Sequence, residues 1–207
     1  MAKSLQPGDP APDIVLPDQD GNTLELAELR GQWVLVYFYP RDDTPGCTLE
    51  ACGLRDASAR YREAGIRVLG ISADPVKSHR KFADKFQLPF TLLADEAKGV
   101  IRAYGAWGRK KFMGREFDGI LRQSFLVDPK GKIAKVYAKV KPEEHAAQVL
   151  ADAAELQGAR GSVRPAVKAA PKTPKKTNDK PAPAKKAPTK SRGEPRPTTA
   201  RRSKPKS

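Results

Sequence analysis

Only two cysteines occur in the 207 residues, and both fall in one short stretch, YFYPRDDTPGCTLEACGLRD, residues 37–56. Cys47 and Cys52 lie five positions apart, after an apolar run and a turn carried by Pro45 and Gly46. Such a pair is open to three chemistries: a structural disulfide, half of a metal site, or two working thiols. A structural zinc site wants four ligands in closely spaced pairs. His79 and His145 stand far apart and at no ligand spacing. Both are expected at the surface or at helix ends, with no metal and no cofactor bound. A disulfide-stapled secreted fold would need more cysteines in a smaller chain.

Position separates the two thiols. Cys47 falls where a strand has ended and a helix is starting. A helix N-terminus presents unpaired backbone N–H groups and a partial positive charge, and both favour the nucleophilic thiolate over the thiol. Cys52 should lie within the same helix. Five residues advance about 7.5 Å and turn about 140°, which sets the Cα atoms roughly 8.6 Å apart. A disulfide needs less than about 7 Å, so the pair can join only if the first turns unwind. That geometry makes a poor structural clip and suits a cycle in which one thiol reacts and the other follows.

The elements that must hold this stretch are legible as hydropathy runs. WVLVYFY (33–39) and IRVLGIS (66–72) read as buried strands, with TLEACGLRDASARYREAG between them as a helical stretch closed by Gly65. A strand–helix–strand unit of this length implies a parallel pair. DPVKSHRKFADKFQ spaces Val76, Phe82 and Phe86 helically, with Asp74 as the expected N-cap and Pro75 at the first helical position. FTLLAD reads as a strand and EAKGVIRAYGA as a short helix. GILRQSFLVDPKGKIAKVYAKV reads as two strands about the turn DPKGK, and PEEHAAQVLADAAELQG as a closing helix. Alternating strands and helices around one core predict an α/β sandwich over residues 1–158.

YPRDDTPGCTLEAC contains Pro-x3-Thr-x2-Cys, the active-site pattern of peroxiredoxins, and a second cysteine five residues on resembles their Q-type, bacterioferritin comigratory protein subfamily. GDPAPDIVLPDQDG and YGAWGRKKFMGREFDGILRQSFLVDPKGKI extend the resemblance over nearly all of the first 158 residues. It implies a thioredoxin-like fold, a central mixed sheet flanked by helices, and a monomer. It implies that Cys47 attacks peroxide and becomes sulfenic acid. Thr44 would bond thiolate and peroxide, Pro40 would shield the site from water, and Arg122 would hold the thiolate and polarise the substrate. Cys52 would resolve the sulfenic acid to an intramolecular disulfide, which thioredoxin or a similar dithiol protein would reduce. No metal is required: a hydroxide leaving group needs a good nucleophile and donors aimed at the departing oxygen, and resolution by Cys52 forestalls sulfinic acid. Glu50 is read either as a group pinning the site or as a solvated helix charge. Trp107 and Phe112 are read as packing or rim residues, and Asp42 and Asp43 as turn residues.

Charge divides the chain. The formal net charge is +15, but residues 159–207 hold 16 Lys+Arg against 2 Asp+Glu, leaving the first 158 residues near neutrality at +1. The basic segment has nine prolines, no aromatic residue and no Leu or Ile. Such a composition cannot bury enough apolar surface to offset its conformational entropy, so disorder is expected. It looks like a linker-histone tail, lies outside the peroxiredoxin resemblance, and should bind DNA non-specifically through phosphates. With no signal-peptide core and no apolar run of membrane-spanning length, the expectation is a soluble cytoplasmic protein, associated with the nucleoid through this tail. A thiol peroxidase is the leading function. The alternative is a DNA-associated redox sensor that passes oxidation to a partner protein. A general thiol–disulfide oxidoreductase is disfavoured because Cys-x2-Cys is absent.

Overall fold

The computed structural model describes residues 4–112 and 114–159; the basic segment beyond them, and the expectation that it is disordered, lie outside the described residues. The chain enters through a small antiparallel hairpin, β1 (Val15–Pro17) with β2 (Thr23–Glu25), followed by a 3-10 turn at Leu26–Leu29. Three-residue strands leave too short a hydropathy pattern to be read in advance.

WVLVYF offers no charged side chain to water, and β3 (Trp33–Phe38) is buried at every position. Its alternation sends Leu35 and Tyr37 to one face and Val34, Val36 and Phe38 to the other, each into its own apolar cluster. The expected single helix after β3 is two: α1 (Pro45–Asp56) and α2 (Ser58–Glu63), broken at Ala57. The structure then runs through β4 (Ile66–Ser72), α3 (Val76–Phe86), β5 (Thr91–Ala94) and α4 (Gly99–Ala103). Pro75, in extended conformation, is the N-cap of α3, one residue later than expected. Asp74 instead accepts hydrogen bonds from the Asp42 backbone N–H and the Ser72 hydroxyl.

A second hairpin that the hydropathy pattern did not reveal, β6 (Trp107–Phe112) with β7 (Arg115–Ile120), is rich in Lys, Arg and Gly because it is not a strand of the main sheet. The last strands, β8 (Gln123–Val127) and β9 (Ile133–Tyr137), flank the expected turn. There Asp128 Oδ1 accepts the backbone N–H groups of Lys130 and Lys132, both at 2.9 Å. Helix α5 (His145–Ala159) closes the fold; Pro142 and the two glutamates precede it as turn residues.

The main sheet has the order β5-β4-β3-β8-β9. Strands β3, β4 and β5 are parallel, while β8 runs antiparallel to both β3 and β9. One face carries the apolar sides of α1, α2, α3 and α5, through Leu54, Tyr61, Phe82 and Val149. The other carries the first hairpin, the 3-10 turn, α4 and Ile120. This is the thioredoxin-like arrangement anticipated above. The C-terminal end of β3, between a parallel and an antiparallel neighbour, feeds directly into α1, which is where open α/β sheets place their ligand sites.

Candidate active site

Between β3 and α1 the chain turns sharply, with the non-glycine Asp43 in the left-handed region at φ 52°. Thr44 is then extended (φ −97°, ψ 149°) and caps α1. Pro45 and Gly46, expected to form the turn, are the first two helical residues. Proline suits that place because its φ is preset and its missing N–H would have had no intrahelical partner. Cys47 is therefore the third residue of the helix, with its N–H among those left free by the helical pattern. The first helical bond is made one residue later, Thr48 N–H to Thr44 C=O at 2.8 Å.

The thiol of Cys47 is 2% exposed and both cysteines are free. Cys52 is half-buried in the same unbroken helix, so the two thiols are held in the separated geometry anticipated from sequence. Pro40 and Thr44 flank the turn, both half-buried, and the Thr44 hydroxyl donates to Arg41 C=O at 3.0 Å. Arg122, in the short link between β7 and β8, reaches across to the thiol: its Nη2 lies 3.3 Å from Cys47 Sγ. Gly46 gives it room, since a Cβ there would stand 3.3 Å from the same nitrogen.

Glu50 is no solvated charge. It is 1% exposed, pairs through Oε2 with Arg122 Nη1, and faces His145 with its other oxygen. Burial works against the Arg122 charge, but the Glu50 carboxylate and Cys47 beside it more than compensate and hold its pKa above the ordinary value. Of the two places expected for His145, the surface or a helix end, the structure gives the helix end. It is fully buried there, with Nδ1 3.0 Å from Glu50 Oε1 and its ring edge-on to Tyr137. Lys110 on β6 approaches from the hairpin side and donates to Ile120 C=O at 2.6 Å. Burial, together with the like charge of Arg122, holds the pKa of its ammonium below the ordinary lysine value.

His79 is likewise buried, against expectation. Its Nδ1 lies 2.9 Å from Asp42 Oδ2 and its Nε2 3.1 Å from Leu93 C=O, so both ring nitrogens face acceptors. Asp42 also accepts the Tyr39 hydroxyl at 2.8 Å. It is thus a buried anchor for the turn before α1, more than a turn residue. Asp43 remains exposed and pairs with Lys85 at 2.6 Å. Burial pushes the Asp42 pKa up, but hydrogen bonding and charge from His79 outweigh it, and the net direction is down. Trp107 is partly buried against the core, with Lys98 5.4 Å above its ring; the Phe112 side chain is outside the described ones. Among the described residues no group of His, Cys, Asp and Glu forms a metal cluster, and no helix is long and apolar enough to cross a membrane.

Of the five residues anticipated for the site, the structure brings Cys47 and Arg122 into contact and sets Pro40 and Thr44 in the turn leading to Cys47. Cys52 is kept apart by the helix. His145, Lys110 and the Asp42–His79 pair were missed. A histidine or lysine carries no local sign of burial, and only the topology decides what it meets.

Residues 7–136 match the family model described as the AhpC/TSA family. The chain is 51% identical over 141 residues to peroxiredoxin Bcp of Escherichia coli K12, covering 68% of this chain and 90% of that protein. It is 40% identical over 147 residues to peroxiredoxin Bcp of Bacillus subtilis 168, covering 71% and 94%. Among solved structures it is similar to the Xanthomonas campestris bacterioferritin comigratory protein, studied for alkyl peroxide reduction. That match has 34% identity and a TM-score of 0.66, over 69% of this chain and 91% of that one.

Proposed function

The chain belongs to the AhpC/TSA family as a peroxiredoxin of the Bcp, or Q, type, and from that premise we propose that Cys47 is the peroxide-attacking thiol and Cys52 the resolving one. The observation that carries this reading is the contact of Arg122 Nη2 with Cys47 Sγ at 3.3 Å, made at the start of α1. The guanidinium and the helix N-terminus both favour the thiolate. The thiolate attacks one peroxide oxygen and the O–O bond breaks. The departing oxygen takes up a proton to leave as water or an alcohol, and Cys47 becomes sulfenic acid. Arg122, Thr44 and the free backbone N–H groups of the first turn are the donors for the developing charge, and Pro40 limits water access.

The first turns of α1 then unwind. Cys52 attacks the sulfenic sulfur, water is lost and the Cys47–Cys52 disulfide forms. A dithiol protein of the thioredoxin kind transfers two electrons to restore both thiols. The relative studied for alkyl peroxide reduction supports organic hydroperoxides as substrates beside hydrogen peroxide, and Leu49, 44% exposed two residues after Cys47, offers an apolar contact. The protein acts in the cytoplasm as a monomer, with residues 1–158 as the catalytic domain. Residues 159–207 form a tail that holds it on DNA through non-specific phosphate contacts, on the strength of their net +14.

The test is peroxide-dependent oxidation of thioredoxin by wild type, Cys47→Ser and Cys52→Ser. Wild type should turn over, Cys47→Ser should be inactive, and Cys52→Ser should consume one equivalent of peroxide and stop. Equal inactivity of wild type and both variants with every peroxide overturns the assignment. Sustained turnover at saturating peroxide also separates a peroxidase from the second reading that the tail charge favours, a DNA-associated sensor that passes oxidation to a partner protein.

A further inference from the structure

For Cys52 to reach Cys47, the segment between them must leave the helix, and that segment contains Glu50. One carboxylate oxygen of Glu50 pairs with Arg122, and the other faces His145 Nδ1 at 3.0 Å. The surrounding contacts lie on the same side. A Cβ on Gly53 would meet Pro142 C=O at 3.9 Å, and the Tyr61 hydroxyl donates to Ala146 C=O at 3.0 Å. The turn before α5 and its first residues therefore pack on the later part of α1 and on α2, and His145 alone of these described residues reaches Glu50 in the part of α1 that has to move. Within this packing His145 brings a ring nitrogen capable of charge-assisted contact to a carboxylate that is itself out of water.

The contact is close but not fully aligned. Nδ1 stands at ion-pair distance from Glu50 Oε1 without the angle of a good hydrogen bond, and Nε2 has no partner among the described residues. An imperfect tie of this kind orients a group and still releases it.

We propose that His145 is a positioning residue for the peroxidase cycle. Through Glu50 it fixes Arg122 against Cys47 during peroxide attack, and it also latches the first turns of α1 against the unwinding that lets Cys52 resolve the sulfenic acid. The inference rests on the assignment of Cys47 and Cys52 given above. His145 touches neither thiol; it sets the balance between two steps that use the same helix in two conformations. Holding the helix folded favours attack, prolongs the sulfenic acid, and exposes Cys47 to a second peroxide and conversion to sulfinic acid. Releasing it favours resolution.

The experiment follows reduced full-length protein after rapid mixing with hydrogen peroxide, using mass spectrometry of quenched samples. Sulfenic acid adds one oxygen, the disulfide removes two hydrogens from the dithiol, and sulfinic acid adds two oxygens. The ratio of disulfide to sulfinic acid at each peroxide concentration is the readout, together with the rate of the first oxidation. In His145→Leu the first oxidation should slow and the ratio should rise, each by about tenfold, the size of one lost charge-assisted contact. His145→Asn, which can place a donor near the Nδ1 position, should return both towards wild type, and His145→Ala replaces the leucine form if that one does not fold. A well-folded leucine or alanine variant with a lowered melting temperature but the wild-type ratio and oxidation rate overturns the proposal, because a merely structural histidine would behave in that way. Absence of any Cys47–Cys52 disulfide in wild type is a separate failure, of the thiol assignment itself, and removes the premise of this one.

Discussion

Arg122 Nη2 and Cys47 Sγ lie 3.3 Å apart across 75 residues of sequence, and the other arm of the same guanidinium is held by Glu50. One side chain from the β7–β8 link thus joins the nucleophile to a buried carboxylate one turn further along α1. Replacing it with Met keeps the apolar stem and removes every donor. The first oxidation of Cys47 by peroxide should then slow by about a hundredfold, measured by competition against a peroxidase of known rate.

Glu50→Gln tests the same cluster from the carboxylate side. Arg122 and His145 would keep their buried positions without the charge they face. The loss should be about 3 kcal/mol of unfolding free energy, read from urea unfolding of the reduced protein. An unchanged midpoint would show that the carboxylate is not holding them.

The Asp42–His79 pair makes a pH prediction. The Asp42 pKa is depressed in the folded protein relative to its ordinary value of 3.8, so its contribution is fully present above about pH 4 and is lost as pH falls through the lower folded value. Wild type should therefore lose stability as pH falls below about 4 more steeply than Asp42→Asn. Urea midpoints of the two proteins across that range give the comparison, and parallel curves would contradict it.

Gly70 on β4 lies beneath the Tyr37 ring. A Cβ there would stand 2.7 Å from the Tyr37 ring end and 2.8 Å from a Leu92 methyl carbon. Gly70→Ala should destabilise the protein by about 1–3 kcal/mol through overpacking, lowering the melting temperature while leaving residual activity in the folded fraction.

Removing residues 159–207 should abolish retention on double-stranded DNA at low salt and leave peroxide turnover intact. For the full chain, log affinity should fall linearly with log salt at a slope of about −0.9 per phosphate contacted. Equal retention by the truncated protein would dismiss the tail as the binding element.

The strands of the main sheet, the principal helices, the strand–helix junction at Cys47 and the separation of Cys52 from it were all readable along the chain. Their causes are local: unbroken apolar runs, Pro and Gly as punctuation, and the fixed pitch of a helix. The partition between a near-neutral domain and a basic segment was likewise a matter of counting. The two hairpins β1–β2 and β6–β7 were not readable, since very short strands and a charged ribbon outside the main sheet lack the hydropathy that marks a buried strand. The closing of the site was decided by tertiary structure alone. Whether Glu50 meets water or Arg122, whether His145 is a surface residue or faces that carboxylate, and whether Asp42 is a turn residue or the partner of His79 depend on which distant elements the fold brings alongside. A charged side chain looks the same in sequence whether its partner is solvent or a residue far along the chain. What settles the difference is burial, because an ionic group taken out of water persists only where the topology supplies a partner.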